Sequence, residues 1–117
     1  MPPVTVTFTP SNPQNKIVCN PNTVPVPYGN NQTVTWNLVG PSGAKFATDG
    51  IYFKDASPGT LQRLSDTSFQ LTDNNANTTG SPIDYPYGIK IEYNNQPYEM
   101  DPQVENETRP TMTYHPA

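Results

Sequence analysis

Residues Lys16 to Phe53 read KIVCNPNTVPVPYGNNQTVTWNLVGPSGAKFATDGIYF. Short runs of alternating apolar and polar residues are separated here by Pro, Gly and Asn, which favour turns. The clearest run is Gln32 to Val39, where Trp36 and the alternate apolar residues beside it fall on one face of a strand. Thr23 to Pro27 also alternates, but its prolines cannot donate hydrogen bonds to a neighbour, so it is predicted to be an edge strand. This stretch predicts the opening of a small β-sandwich.

The same alternation continues on both sides of this stretch. Val4 to Phe8, Thr67 to Leu71 and Tyr85 to Tyr93 have the period of two that is typical of half-buried strands. Asn94-Asn95 fits a tight hairpin turn because asparagine tolerates positive φ, and Tyr98 to Met100 is the expected return strand. No helical period is present. Seven or eight short strands at this spacing predict an all-β fold, a single antiparallel β-sandwich.

The length of 117 residues predicts one domain. We expect residues 1–104 to form the sandwich and residues 105–117, which are mostly polar, to form a C-terminal tail. Six Lys and Arg stand against ten Asp and Glu, and the net charge is −4. The basic residues are scattered, so a nucleic-acid partner is not expected, because such affinity depends mainly on neutralising phosphates.

Cys19 is the single cysteine, so an intrachain disulfide is excluded. Its apolar neighbours favour a buried thiol that packs as a small hydrophobe. The N-terminus lacks the pattern of a signal peptide, and no stretch approaches the length of a membrane span. The expectation is therefore a soluble, cytoplasmic chain without a membrane partner. A chain trimmed of its signal and restarted at Met1 would look the same and would be extracellular.

Two segments resemble known sandwich families. NTVPVPYGNNQTVTWNL, residues 22–38, resembles the opening of cupredoxin-like domains, and TSFQLTDNNANTTGSPIDYPYGIKIEY, residues 67–93, resembles their later part. The same segments are similar to an immunoglobulin-like Greek key, in which Trp36 would be the core tryptophan and Tyr85 or Tyr87 the corner tyrosine. A third resemblance is to small uncharacterised bacterial β-sandwich proteins with a Tyr-x-x-Asp-Pro segment, and it implies no activity.

The cupredoxin resemblance does not extend to copper. A blue-copper centre needs two histidines and a cysteine, usually with an axial methionine. Here Cys19 precedes Trp36, the only histidine is His115, and Met100 has neither Cys nor His beside it. No copper and no other obligatory cofactor is expected.

A polar segment from Asp73 to Pro82 is the longest predicted loop and is expected to be mobile. Its oxygen-rich side chains resemble a calcium loop, with Asp73, Asn75, Asn77 and Asp84 as the possible ligands. The loop lacks the glycine at the sixth position and the closing glutamate. An ordinary solvated loop is therefore the alternative interpretation.

The tyrosines are the second candidate site. Tyr supplies rigid contact area and Asn supplies adaptable hydrogen bonds, a combination that suits recognition of a protein or a glycan. A shared binding patch is predicted near Tyr28, Tyr85 and Tyr98, and the alternative is that each tyrosine closes the sandwich with its hydroxyl at the rim.

Catalysis is not expected. His115 lies two residues from the end of the chain, and the sequence contains no nucleophile elbow, phosphate loop or metal triad. Asp84 with Glu92 is the one carboxylate pair considered for acid–base work on a sugar. The sequence predicts a non-catalytic binding or interaction module, with a protein partner or self-association. The alternatives are a structural subunit of a larger assembly, such as a fibre, virion or inclusion body, and a calcium-dependent glycan-binding module.

Overall fold

The computed structural model of the protein describes residues 3–108. This part of the chain contains strands and turns and no helix, so no helix in it could cross a membrane. The strands are β1 (Val4–Phe8), β2 (Ile17–Asn20), β3 (Thr23–Val26), β4 (Gly29–Val39), β5 (Lys45–Phe53), β6 (Gly59–Ser65), β7 (Ser68–Asn75), β8 (Ile83–Tyr93), β9 (Gln96–Met100) and β10 (Gln103–Asn106). The all-β fold predicted from the alternating pattern is confirmed, with ten strands in the described residues where seven or eight were predicted.

Two sheets face each other. The first has the order β2-β1-β4-β7-β6, and the second has the order β3-β10-β8-β5, with β9 pairing with the remaining length of β8. Most neighbours are antiparallel, as predicted, but β1 pairs with β4 and β3 pairs with β10 in parallel. β3 lies at an edge, as its prolines predict, since an edge strand can leave one side without donors.

The core lies between the sheets and is formed by the inward residues that alternation selected. Trp36 of β4 and Tyr87 of β8 are fully buried and meet edge to face, with ring centroids 5.4 Å apart. The other predicted inward residues of these strands and of β7 are buried as well: Val34, Leu38, Phe69, Leu71, Ile89 and Ile91. Trp36 is thus a core residue that bridges the two sheets.

One segment differs from its predicted form. Asp73, Asn74 and Asn75 were predicted to open the polar loop, but they complete β7, and Asp73 and Asn75 are buried. The physical reason is that β4 extends back to Gly29 and pairs with β7 as far as Asn75. Polar side chains on an inward face are tolerated when they are hydrogen-bonded, as that of Asn75 is. One carboxylate oxygen of Asp73 has no partner among residues 3–108.

The C-terminal end of the domain is the second difference. Glu105, the expected start of the tail, lies inside β10, which pairs with both β8 and β3. Inward-facing Val104 and Asn106 are buried. Residues 109–117, including His115, lie outside the described part of the chain.

Candidate functional site

The three predicted tyrosines do not form one patch. Tyr85 of β8 lines a cleft with Asn106, whereas Tyr98 of β9 lines a different groove and packs on Phe8, with ring centroids 4.8 Å apart. Tyr98 pairs with Ile91, six residues beyond Tyr85 on β8, which places the two sites about 20 Å apart. Tyr28 is exposed before β4. Binding by Tyr85 or by Tyr98 remains a prediction for two separate places.

Asn75 ties three segments together beneath the Tyr85 cleft. Its side-chain amide donates to the carbonyl oxygens of Val26 at 2.9 Å and Glu107 at 2.8 Å. Its Oδ1 accepts a hydrogen bond from the backbone N–H of Asn77 at 3.0 Å. The side chain therefore replaces ladder partners that β3 and β10 would otherwise lack at their ends.

Asn77 holds the loop after β7 in the same way. Its amide donates to the carbonyls of Ser81 at 2.8 Å and Asn106 at 3.1 Å. Its Oδ1 accepts from both the N–H and the hydroxyl of Thr79. The loop from residue 76 to residue 82 is thus anchored to β10 rather than free in solvent.

Asp73 and Asn106 form a buried pair with unused hydrogen-bonding capacity. Asn106 Nδ2 donates to Asp73 Oδ1 at 3.3 Å. Asp73 Oδ2 and Asn106 Oδ1 have no hydrogen-bond partner among residues 3–108. Burial raises the pKa of Asp73 to about 6, and the hydrogen bond from Asn106 offsets only part of that rise. A buried carboxylate with a single neutral donor is costly to ionise.

The four predicted calcium ligands do not converge. Asp84 is exposed on the outward side of β8, whereas Asp73 is buried between the sheets. The Oδ1 atoms of Asn75 and Asn77 already accept hydrogen bonds from the chain. No group of three acidic, histidine or cysteine side chains placed to hold a metal occurs in the described residues. The hydrogen bonds of these amides fix the fold of the segment, and calcium binding by it stays a prediction.

The cleft above this network has a volume of about 350 Å³. Its lining comes from the loops after β5 and β7, from β8 and from β10, and includes Ser57, Asn74, Asn77, Thr78, Tyr85 and Asn106. Every residue of the lining is uncharged. The cleft thus presents hydroxyl groups, carboxamides and one aromatic ring.

Asn106 is one of the cleft residues that the sequence interpretation missed, because it was assigned to the tail. The alternation of buried and partly exposed residues in β10 continues from Val104 to Asn106. A predicted strand that continued two residues beyond Val104 would have included Asn106. Its side chain is only 5% exposed, and its Oδ1 is unpartnered.

A second buried polar cluster lies in the core and lines neither the cleft nor the groove. Trp36 Nε1 donates to the hydroxyl of Tyr87 at 2.9 Å, and that hydroxyl lies 3.5 Å from Cys19 Sγ. Cys19 also reaches the carbonyl of Pro21 at 3.4 Å. Burial raises the pKa values of the Cys19 thiol and the Tyr87 hydroxyl. A protonated, enclosed thiol is a poor nucleophile, so this cluster is structural.

The hydroxyl of Tyr87 contacts side chains of the core, unlike a corner tyrosine, which bonds the backbone a few residues upstream.

The candidate carboxylate pair for acid–base work on a sugar is not brought together in the structure. Asp84 and Glu92 are eight residues apart on β8, hence about 27 Å apart. Glycosidase carboxylates lie about 5 to 10 Å apart.

No model of a known protein family matches this chain, and no curated protein matches it in sequence.

Proposed function

We propose that the protein is a non-catalytic binding module whose Tyr85 cleft takes a small, uncharged, hydroxyl-rich group, such as the terminal sugar of a glycan. The observation that carries this proposal is the uncharged lining of the cleft, in which the half-buried ring of Tyr85 lies among carboxamides and hydroxyl groups.

The neutral lining selects the class of ligand. A phosphate or carboxylate would find no cation in the cleft, and an ammonium group would find no carboxylate. Hydroxyl groups both donate and accept, so they match carboxamides and the hydroxyls of Ser57 and Thr78. The Tyr85 ring supplies apolar area for the C–H face of a sugar, in the pattern of a site with few polar groups and an aromatic wall.

Asn74 supports the same interpretation. Its Oδ1 accepts a hydrogen bond from the backbone N–H of Asn31 at 2.7 Å, which fixes the orientation of the amide. The amide N–H groups of Asn74 are then free for a ligand oxygen, since no hydrogen bond from them occurs within residues 3–108. This donor lies in the same lining as the hydroxyl groups of Ser57 and Thr78.

We infer that the sandwich is closer to the cupredoxin-like type than to the immunoglobulin-like type. Immunoglobulin sheets are antiparallel, whereas β1 with β4 and β3 with β10 are parallel pairs. Copper binding does not follow, because Cys19 is enclosed by Tyr87 and Pro21.

The test is an amide NMR titration with neutral sugars and short neutral oligosaccharides. We expect shifts in residues around Tyr85, Asn77 and Asn106. Tyr85→Ala should weaken binding about tenfold, equivalent to about 1.4 kcal/mol. The matched control is Tyr98→Ala, which removes a half-buried tyrosine from the other groove and should leave the affinity unchanged.

Two results would count against the proposal. Titration shifts confined to the groove at Tyr98 would move the site elsewhere, and absence of binding by every neutral sugar would remove the ligand class.

The calcium-dependent alternative is tested by repeating the titration with a calcium chelator. We expect no effect of a chelator, because the Oδ1 atoms of Asn75 and Asn77 are occupied by the chain itself.

A further inference from the structure

The outward face of the first sheet is an ordered polar surface. Alternation in β1, β2 and β4 turns one set of side chains to the core and the other to solvent. The strand register then aligns the outward set into rows. One row contains, from β2 to β7, the side chains of Asn20, Thr5, Asn37 and Ser68.

Two further rows cross β4, β7 and β6. The next row consists of Thr35, Gln70 and Gln62, and the one after it of Thr33, Thr72 and Thr60. All of these side chains are hydroxyls or carboxamides. Lys16 lies just before β2, and the ion pair of Arg63 with Asp66 lies on the edge strand β6 and the turn after it, so the charges are at the rim of this face.

The same face carries exposed aliphatic side chains. Val18 of β2 and Val39 of β4 flank Thr7 in the strand register, and they are 48% and 54% exposed. Leu64 of β6 is 46% exposed. Among the described residues, these three are the exposed large aliphatic side chains, and all three belong to strands of the first sheet.

The second sheet has the opposite character. Its strands and the adjacent turns carry exposed ion pairs, Lys54 with Asp101 and Lys90 with Asp49 and Glu99. An acidic protein with a net charge of −4 repels its own copies over most of its surface. The outward face of the first sheet is the region where two copies can approach without opposing like charges.

We propose that this face is a self-association surface, through which two copies of the chain pack sheet against sheet around a two-fold axis. A two-fold contact needs a surface that is complementary to itself. Hydroxyls and carboxamides meet that need because each group both donates and accepts, and the aliphatic side chains at one end would be removed from water.

The size of the face sets the strength of the contact. Five strands span about 20 Å, and the seven residues from Thr33 to Val39 span about 20 Å along β4, which gives roughly 400 Å² per copy. This is about half of the roughly 800 Å² per partner of a standard stable interface. The dimer is therefore weak, and its population depends on protein concentration.

The test is solution mass by sedimentation from about 10 µM to about 1 mM, a range that suits a weak contact of this size. Thr35 lies on the central strand β4, so Thr35→Lys and Thr35→Glu each place like charges against each other in the dimer. Each variant should be monomeric throughout the range. An equimolar mixture of the two should recover dimers, because opposite charges then meet.

The matched control is Thr48→Lys, an exposed threonine of β5 in the second sheet, which should dimerise like the parent chain. Thr7→Lys on β1 is a second face variant if Thr35 variants fail to fold, with far-ultraviolet circular dichroism as the check. A parent chain that stays monomeric at every concentration would overturn the proposal. So would association that persists in both lysine variants of the face, or a mixture that stays monomeric.

Discussion

The hydroxyl of Tyr87 is one of the points at which buried hydrogen bonds join the two sheets. It accepts the indole N–H of Trp36 at 2.9 Å and contacts the thiol of Cys19 at 3.5 Å. Buried polar groups are stable when they are satisfied in this way, and costly when one partner is missing. Asp73 Oδ2 and Asn106 Oδ1 are buried without a partner among residues 3–108, so they carry this cost.

Asp73 gives the fold a predictable dependence on pH. Its pKa rises from about 3.8 in the unfolded chain to about 6 in the folded one, because burial disfavours the carboxylate. The folded state therefore holds the proton more tightly. Its contribution to the free energy of unfolding is complete below about pH 4 and is lost as the pH rises through about 6. The loss is at most about 3 kcal/mol.

Asp73→Asn should remove this dependence and raise the free energy of unfolding at pH 7. The measurement is urea unfolding of both proteins at about pH 4 and pH 7, on either side of the transition. The control is Asp84→Asn, at an exposed carboxylate of β8, which should have little effect. Parent stability that does not fall between these pH values would contradict the assignment.

At the scale of elements, the segment after β7 shows how side chains replace backbone pairing. Buried amides usually find partners, and Asn77 alone makes hydrogen bonds to Ser81, Thr79 and Asn106. The polar composition of residues 73–82 is typical of a mobile loop. The hydrogen bonds convert it into a fixed wall of the Tyr85 cleft.

Asn77→Ala should loosen this wall without unfolding the sandwich. Loss of these bonds should speed backbone hydrogen exchange in residues 78–82 on the order of tenfold, since each net bond contributes about 1 kcal/mol. Exchange mass spectrometry checks this result. Asn30→Ala, at an exposed asparagine of β4, is the control. Equal exchange in the two variants would show that the loop is held by other contacts.

At the scale of the whole molecule, the sandwich has two unlike outer faces around one core. The first sheet presents uncharged rows with one ion pair, Arg63 with Asp66, at its β6 edge, and the second presents ion pairs on its strands and turns. Exposed ion pairs add little to stability, about 0–1 kcal/mol each. The core between the sheets therefore supplies most of the stability of the fold.

Trp36→Ala should test that core directly. The residue is fully buried, and its removal leaves a large cavity and the Tyr87 hydroxyl without its donor. The expected loss is about 3–5 kcal/mol in the free energy of unfolding, measured by urea titration. Tyr28→Ala, at an exposed aromatic residue, should cost little. Unchanged stability of the Trp36 variant would be incompatible with this fold.

The amino-acid sequence alone determined most of the strands and the apolar residues that face inward from them. The period of two is a local property, so Trp36, Leu71 and Ile89 could be assigned to the core without knowing which strands pair. The edge position of β3 followed in the same way from its prolines. The Asn94-Asn95 turn was also predicted from local sequence, and both residues have positive φ in the structure.

Only the tertiary structure decided which strands are neighbours and what that brings together. The parallel pairing of β1 with β4 joins residues about thirty positions apart, and no local pattern records it. The burial of Asp73 and Asn75 depends on β3 and β10, whose contacts with them are distant in the chain. For the same reason Tyr85 lines a cleft with Asn106 and not with Tyr98. Strand order and register, rather than neighbours in sequence, decide which cleft a side chain lines.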